Sequence, residues 1–133
     1  MVWALVYLKE FEDWLDRQSE DLQDEALAHL ELLKEIGPVL SRPHADTLKG
    51  SKIRNLKELR FTYAAAPIRI LYVFDPNQHG VIILAGDKSG DKRWYEVNIS
   101  KAEKLYGQHL QKLFAEREKQ EKLEQEKEKR KRR

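Results

Sequence analysis

The stretch ELRFTYAAAPIRILYVFD, Glu58 to Asp75, constrains this chain more than any other. It reads as two strands joined by a short turn. Strand side chains alternate between two faces. With a turn at Ala64 to Pro67, Tyr63 stands opposite Ile68, Thr62 opposite Arg69, and Arg60 opposite Leu71. One face then holds Leu59, Phe61, Tyr63, Ile68, Ile70, Tyr72 and Phe74, all apolar or aromatic. That face must take the helices. The other holds Glu58, Arg60, Thr62, Arg69, Leu71, Val73 and Asp75. Changing the loop by two residues slides the partners and keeps both faces, whereas changing it by one breaks the apolar face. Both arginines therefore share the second face, as diagonal neighbours.

The flanking sequence supplies the rest of the fold. Val2 to Leu8 is an edge or second strand. Phe11, Trp14 and Leu15 form the apolar stripe of a first helix. Ser19 opens a second, with Leu22, Ala26, Leu30 and Leu33 as its buried stripe and Gly37-Pro38 as its stop. Pro38 to Asn55 reads as a loop. Val81 to Lys88 is a continuously apolar strand, expected to be central, and SGDKRWYE a polar loop. A long helix follows from Val97. The expected fold is α+β: a small twisted antiparallel sheet, an N-terminal helical hairpin and a C-terminal helix, with the helices on one face. Residues 1–115 form the domain and 116–133 a charged helical extension. Within 116–133 only Leu123 is apolar, so the segment is either a helix held by i, i+4 ion pairs or a fraying tail.

Charge narrows the functional classes. Residues 1–37 carry 10 acidic and 3 basic side chains, residues 38–115 carry 7 and 13, and residues 116–133 carry 6 and 9. Basic charge concentrated in the middle and at the end suits a polyanion, and equally suits solvated helix faces. The absence of cysteine excludes disulfides, thiolate zinc sites and cysteine nucleophiles. No apolar run approaches the roughly 18 residues of a membrane span, and the N-terminus lacks a signal-peptide pattern. A cytoplasmic protein without membrane contact is expected. His29, His44, His79 and His109 show no metal spacing. Asp87, Asp91 and Glu96 sit among lysines, as in a solvated loop. No metal or cofactor is expected.

Two readings of the arginine face compete. Arg60–Glu58 and Arg69–Asp75 pairs on an open sheet surface are worth about 0–1 kcal/mol each. Alternatively the guanidiniums bind phosphate as planar forks. Lys49, Lys52, Arg54, Lys57, Lys88, Lys92 and Arg93 lie near in sequence, and Trp94 and Tyr95 follow directly. Cations beside exposed aromatics suit single-stranded nucleic acid. On an extended chain Arg93 and Tyr95 point the same way.

DTLKGSKIRNLKELRF, PIRILYVFD and VIILAGDKSGDKRWYEVNISKAEKLY resemble the RelE/ParE superfamily of toxins from type II toxin–antitoxin systems. The similarity covers roughly residues 3–114, in the HigB-like branch related to phage Gp49 proteins. It implies a RelE-like fold and an endoribonuclease, an mRNA interferase that needs no metal and cleaves mRNA on the ribosome. It implies neutralisation by a cognate antitoxin, of helix-turn-helix type, with operator DNA reached only through that antitoxin. Arg69 matches the family's central-strand arginine, a transition-state clamp. Lys88, Arg93 and Tyr95 fall where the other catalytic or stacking residues lie. Lys57 and Arg60 lie on the strand that carries lysines in RelE. Leu56 and Glu58 stand where those lysines are expected, so Glu58 is a candidate general base. Lys49, Lys52, Arg54, Lys92 and Trp94 complete an RNA-binding set. A ParE-like gyrase poison and a non-catalytic nucleic-acid-binding module are the alternatives.

Overall fold

A computed structural model describes residues 2–132. The element order is β1 (Leu5–Tyr7), α1 (Lys9–Asp16), α2 (Glu20–Ile36), a short 3-10 turn (Gly37–Val39), β2 (Ala45–Thr47), β3 (Lys57–Tyr63), β4 (Ala66–Phe74), β5 (Gly80–Asp87) and α3 (Trp94–Lys131). The chain divides into two units, Met1–Glu103 and Lys104–Arg133. In the second unit α3 continues as a charged helix whose Phe114 and Leu123 are exposed. Among the described residues, no helix is long and apolar enough to cross a membrane.

The first unit is built on one five-stranded sheet in the order β1-β5-β4-β3-β2. The α+β class holds, with three corrections. Strand β1 pairs parallel with β5, the other pairs being antiparallel. The central strand is β4, with β5 beside it. A short strand, β2, emerges inside the expected loop and pairs with the outer edge of β3. Helices α1 and α2 cover the expected apolar face. Phe11, Trp14, Leu22, Ala26, Leu30 and Leu33 pack there against Leu59, Phe61, Ile68, Ile70, Tyr72 and Ile82. Ser19 caps α2, its Oγ accepting from the Leu22 amide at 3.3 Å. Gly37 ends it at φ 76°, with the Trp3 indole where a Cβ would project. Only glycine meets both demands.

The β3–β4 turn is shorter than expected. Ala64 and Ala65 form it alone, both at positive φ, so Tyr63 pairs with Ala66 and Arg60 stands directly opposite Arg69. The partners slide by two and the faces survive, as side-chain parity requires.

The second face is not open. Leu71, Val73, Val81 and Leu84 are buried on it. The start of α3 covers it, so the helices flank both faces of the sheet. A bulge makes this possible: Leu71 pairs with Leu84 and Tyr72 with Ile82, leaving Ile83 as the extra residue. Past the bulge Gly86 points to the arginine face. The edge of the Trp94 indole packs against it, 3.0 Å from where a Cβ would stand.

Candidate active site

Two guanidiniums directly opposite on one sheet face repel. The structure places Glu58 between them. Its Oε1 lies 3.5 Å from Arg60 Nε and 3.8 Å from Arg69 Nε. Tyr95, in the first turn of α3, reaches the same point. Its hydroxyl donates to Glu58 Oε1 at 3.2 Å and accepts from Arg69 Nε at 3.2 Å. A second Arg69 nitrogen donates to the Ile68 carbonyl at 2.9 Å, which locks the side chain. The Lys88 ammonium sits over the Tyr95 ring, 5.1 Å from its centroid. Glu58, Arg69, Tyr95 and Lys88 thus meet in one cluster, with Arg60 on its open side.

Burial sets the chemistry of the cluster. Glu58 is 3% exposed and Arg69 7%. Burial pushes the Glu58 carboxyl above its ordinary range. The Tyr95 hydrogen bond and the nearby Arg69, Arg60 and Lys88 charges oppose that shift without cancelling it. Its other oxygen, Oε2, is buried with no hydrogen-bond partner among the described residues. Burial also raises Tyr95, assisted by Glu58 and opposed by Arg69. Its hydroxyl therefore stays protonated at neutral pH. The site combines a carboxylate of raised basicity with an unfilled acceptor, a locked guanidinium and a neutral phenol beside an ammonium.

The remaining sequence candidates are scattered. Arg93 is exposed and paired with Glu96 at 3.3 Å. Its expected alignment with Tyr95 fails because the chain is not extended there: Arg93 lies in the turn just before α3, which begins at Trp94. Trp94 is 6% exposed against Gly86, which excludes it as an open stacking surface. Lys57 has the parity of Leu59, and its ammonium donates to the Pro38 carbonyl on the α1–α2 side. Lys49, Lys52 and Arg54 are exposed in the β2–β3 loop, which Glu103 ties to α3 through Ser51 Oγ and the Lys52 amide. Lys92 is exposed before α3. Asp75 accepts from the Asn77 and His79 amides at 2.9 and 3.0 Å and shapes the β4–β5 turn. Arg69 pairs with Glu58.

Sequence reasoning missed Arg42 and Asp46. Arg42 donates to Asp46 from Nε at 3.0 Å and a terminal nitrogen at 2.7 Å, and Asp46 lies 3.9 Å from Arg60. Arg42 holds the Asp46 carboxyl below its usual range. Arg42, Pro43, Arg60, Phe61, Thr62 and Arg69 line a cavity of about 300 Å³. Register supplied the link, since Asp46 pairs with Glu58 across β2 and β3.

The description "Phage derived protein Gp49-like" matches residues 13–107, which include the whole cluster. The chain belongs to this Gp49-like family. It is 39% identical over 97 residues to a Mycobacterium tuberculosis protein named as the toxin HigB3, covering 72% of this chain and 83% of that one. It is 35% identical over 99 residues to one named as the toxin HigB2, from the same organism. That match covers 73% of this chain and 49% of the relative, so the chain spans about half of its length. Two structures of the Escherichia coli toxin RelE, a mutant in the free state and the isolated toxin, each superpose with a TM-score of 0.52. At 12% and 11% identity they cover 72% and 71% of this chain and 94% of theirs. The fold of this Gp49-like protein is that of RelE.

Proposed function

We propose that this protein is the toxin of a toxin–antitoxin system and cleaves mRNA by transesterification. The cluster around Glu58 carries the reading, because a buried carboxylate with an unfilled acceptor suits a general base. The relatives' names as toxins and the RelE fold support the same class.

In this reading the RNA phosphate takes the Arg69 guanidinium and opens the resting Tyr95–Glu58 hydrogen bond. Glu58 accepts the 2′-hydroxyl proton as that oxygen attacks the adjacent phosphorus. Arg69 and Arg60 carry the charge that builds on the equatorial oxygens. The bond from phosphorus to the 5′-oxygen breaks, and Tyr95 gives that oxygen its proton. Lys88 stabilises the phenolate so formed. Glu58 then returns a proton to Tyr95 across their re-formed hydrogen bond. The products are a 2′,3′-cyclic phosphate and a 5′-hydroxyl end. All proton transfers run through side chains. The ribosome supplies the mRNA, and a cognate antitoxin of helix-turn-helix type restrains the toxin.

Brief induction followed by primer extension on abundant mRNAs tests this. Wild type produces discrete cleavages and growth arrest. Glu58→Gln and Arg69→Gln, with circular dichroism of the folded chain, abolish both. Cleavage at wild-type rates in folded Glu58→Gln overturns the assignment. DNA-damage signalling without RNA cleavage identifies a gyrase poison instead.

A further inference from the structure

We propose that the cavity beneath Arg42 is a second phosphate subsite for single-stranded RNA, and that Arg42 is a substrate-binding residue. This deepens the nuclease reading and rests on it. Arg42, Arg60 and Arg69 arrive from three separate segments: the chain before β2, β3 and β4. All three border one cavity of about 300 Å³, and Thr62 adds a hydroxyl-bearing wall. Their side-chain exposures are graded at 70%, 29% and 9%, from rim to floor. Such a gradient suits a chain that enters from solvent and ends at Arg69.

The carboxylates are graded in the same way. Glu58, at the floor, is buried and held by three partners. Asp46, at the rim, has a side chain 35% exposed and is the resting counter-ion of Arg42 and Arg60. An exposed ion pair is readily exchanged for another anion, because water and salt already screen it. A phosphodiester entering the cavity displaces Asp46 from Arg42 and leaves Glu58 in place. Arg42 then closes on that phosphate as a bidentate fork. Two phosphates are engaged at once, the reacting one at Arg69 and a neighbour at Arg42 and Arg60. Arg42 thereby fixes the register of the strand, and Asp46 keeps the empty site from holding stray anions tightly.

The test is fluorescence anisotropy with a labelled 2′-O-methyl RNA octamer, which lacks the attacking hydroxyl and cannot be cleaved. Arg42→Ala is a safe variant because its side chain is exposed. It should weaken binding about 5–10-fold at low salt and reduce the salt slope by about one. Asp46→Asn should strengthen binding about 2–3-fold. Wild type without measurable binding at low salt, or Arg42→Ala binding as wild type does, overturns the subsite. The nuclease reading is scored separately by primer extension. Arg42-dependent binding without any cleavage keeps the subsite and sinks the nuclease. Cleavage with unchanged Arg42→Ala binding does the reverse.

Discussion

Replacing Tyr95 by Phe removes a single oxygen that joins α3 to both strand residues of the cluster. Two hydrogen bonds at 3.2 Å disappear, one to Glu58 and one from Arg69. Each involves an ionic group, and the ring remains to fill its space. Bonds of this type contribute about 1–3 kcal/mol each, and these lie at the long end of the normal range. A total loss of about 2 kcal/mol is expected. For a folding unit of this size that lowers Tm by about 8 °C. The pH dependence is the sharper signature. Glu58 is already raised above 4.5 by burial, so its ionisation weakens folding as pH rises through its folded-state value. The Tyr95 hydrogen bond lowers that value. Without it Glu58 is raised further, and more stability is lost on ionisation. The wild-type advantage over Tyr95→Phe should therefore grow as pH rises from about 4 to about 8. Urea denaturation across that range, with a ¹³C titration of the Glu58 carboxyl, measures both effects. A constant or shrinking difference, or a Glu58 titration that stays or moves down in the variant, would refute the reasoning.

Three further outcomes follow from packing and charge. Ala64→Asn with Ala65→Gly should raise stability by about 1–2 kcal/mol in denaturant melts, because both positions have positive φ; an unchanged midpoint would count against the turn. Gly86→Ala should cost about 1–3 kcal/mol and shift Trp fluorescence, since the new Cβ meets the buried Trp94 ring at 3.0–3.1 Å; a neutral variant would show that Trp94 does not seat there. Arg69→Met alone should destabilise by about 1–3 kcal/mol, because buried Glu58 keeps Arg60 and Tyr95 but loses one of its two guanidiniums, whereas Glu58→Leu with Arg69→Met should recover most of that loss; equal instability of the single and double variants would refute the pairing.

The two faces of the β3–β4 hairpin were legible because alternation is a local property. Seven apolar side chains of one parity admit a single solution. The turn was misread because Ala64 and Ala65 lack the Asn-Gly signature of a two-residue loop. Parity puts Lys57 on the face opposite Glu58, away from the cluster, although the family resemblance implies basic residues on that strand. Strand β2, three residues between Pro43 and Gly50, has no pattern of its own and exists through its pairing with β3. That pairing brings Asp46 and Arg42 to the site, so sequence distance hid both. Tyr95 was found, but its direction was not. Asp91 accepts from the Arg93 amide at 2.9 Å and starts the helix earlier than expected, turning Trp94 into the sheet and Tyr95 toward Glu58.

The extra residue at Ile83 also bears on how this chain can vary. Upstream of it β5 follows one reading frame of inward and outward side chains, and downstream it follows the other. The β3–β4 loop tolerates length changes in steps of two, because both its strands keep their phase. Strand β5 has no such freedom. Deleting one residue between Gly80 and Asp87 would return Gly86 to the α1–α2 side and aim a side chain at Trp94. Insertions and deletions among natural relatives should therefore collect at the hairpin tip and in the loop before α3, and spare this strand.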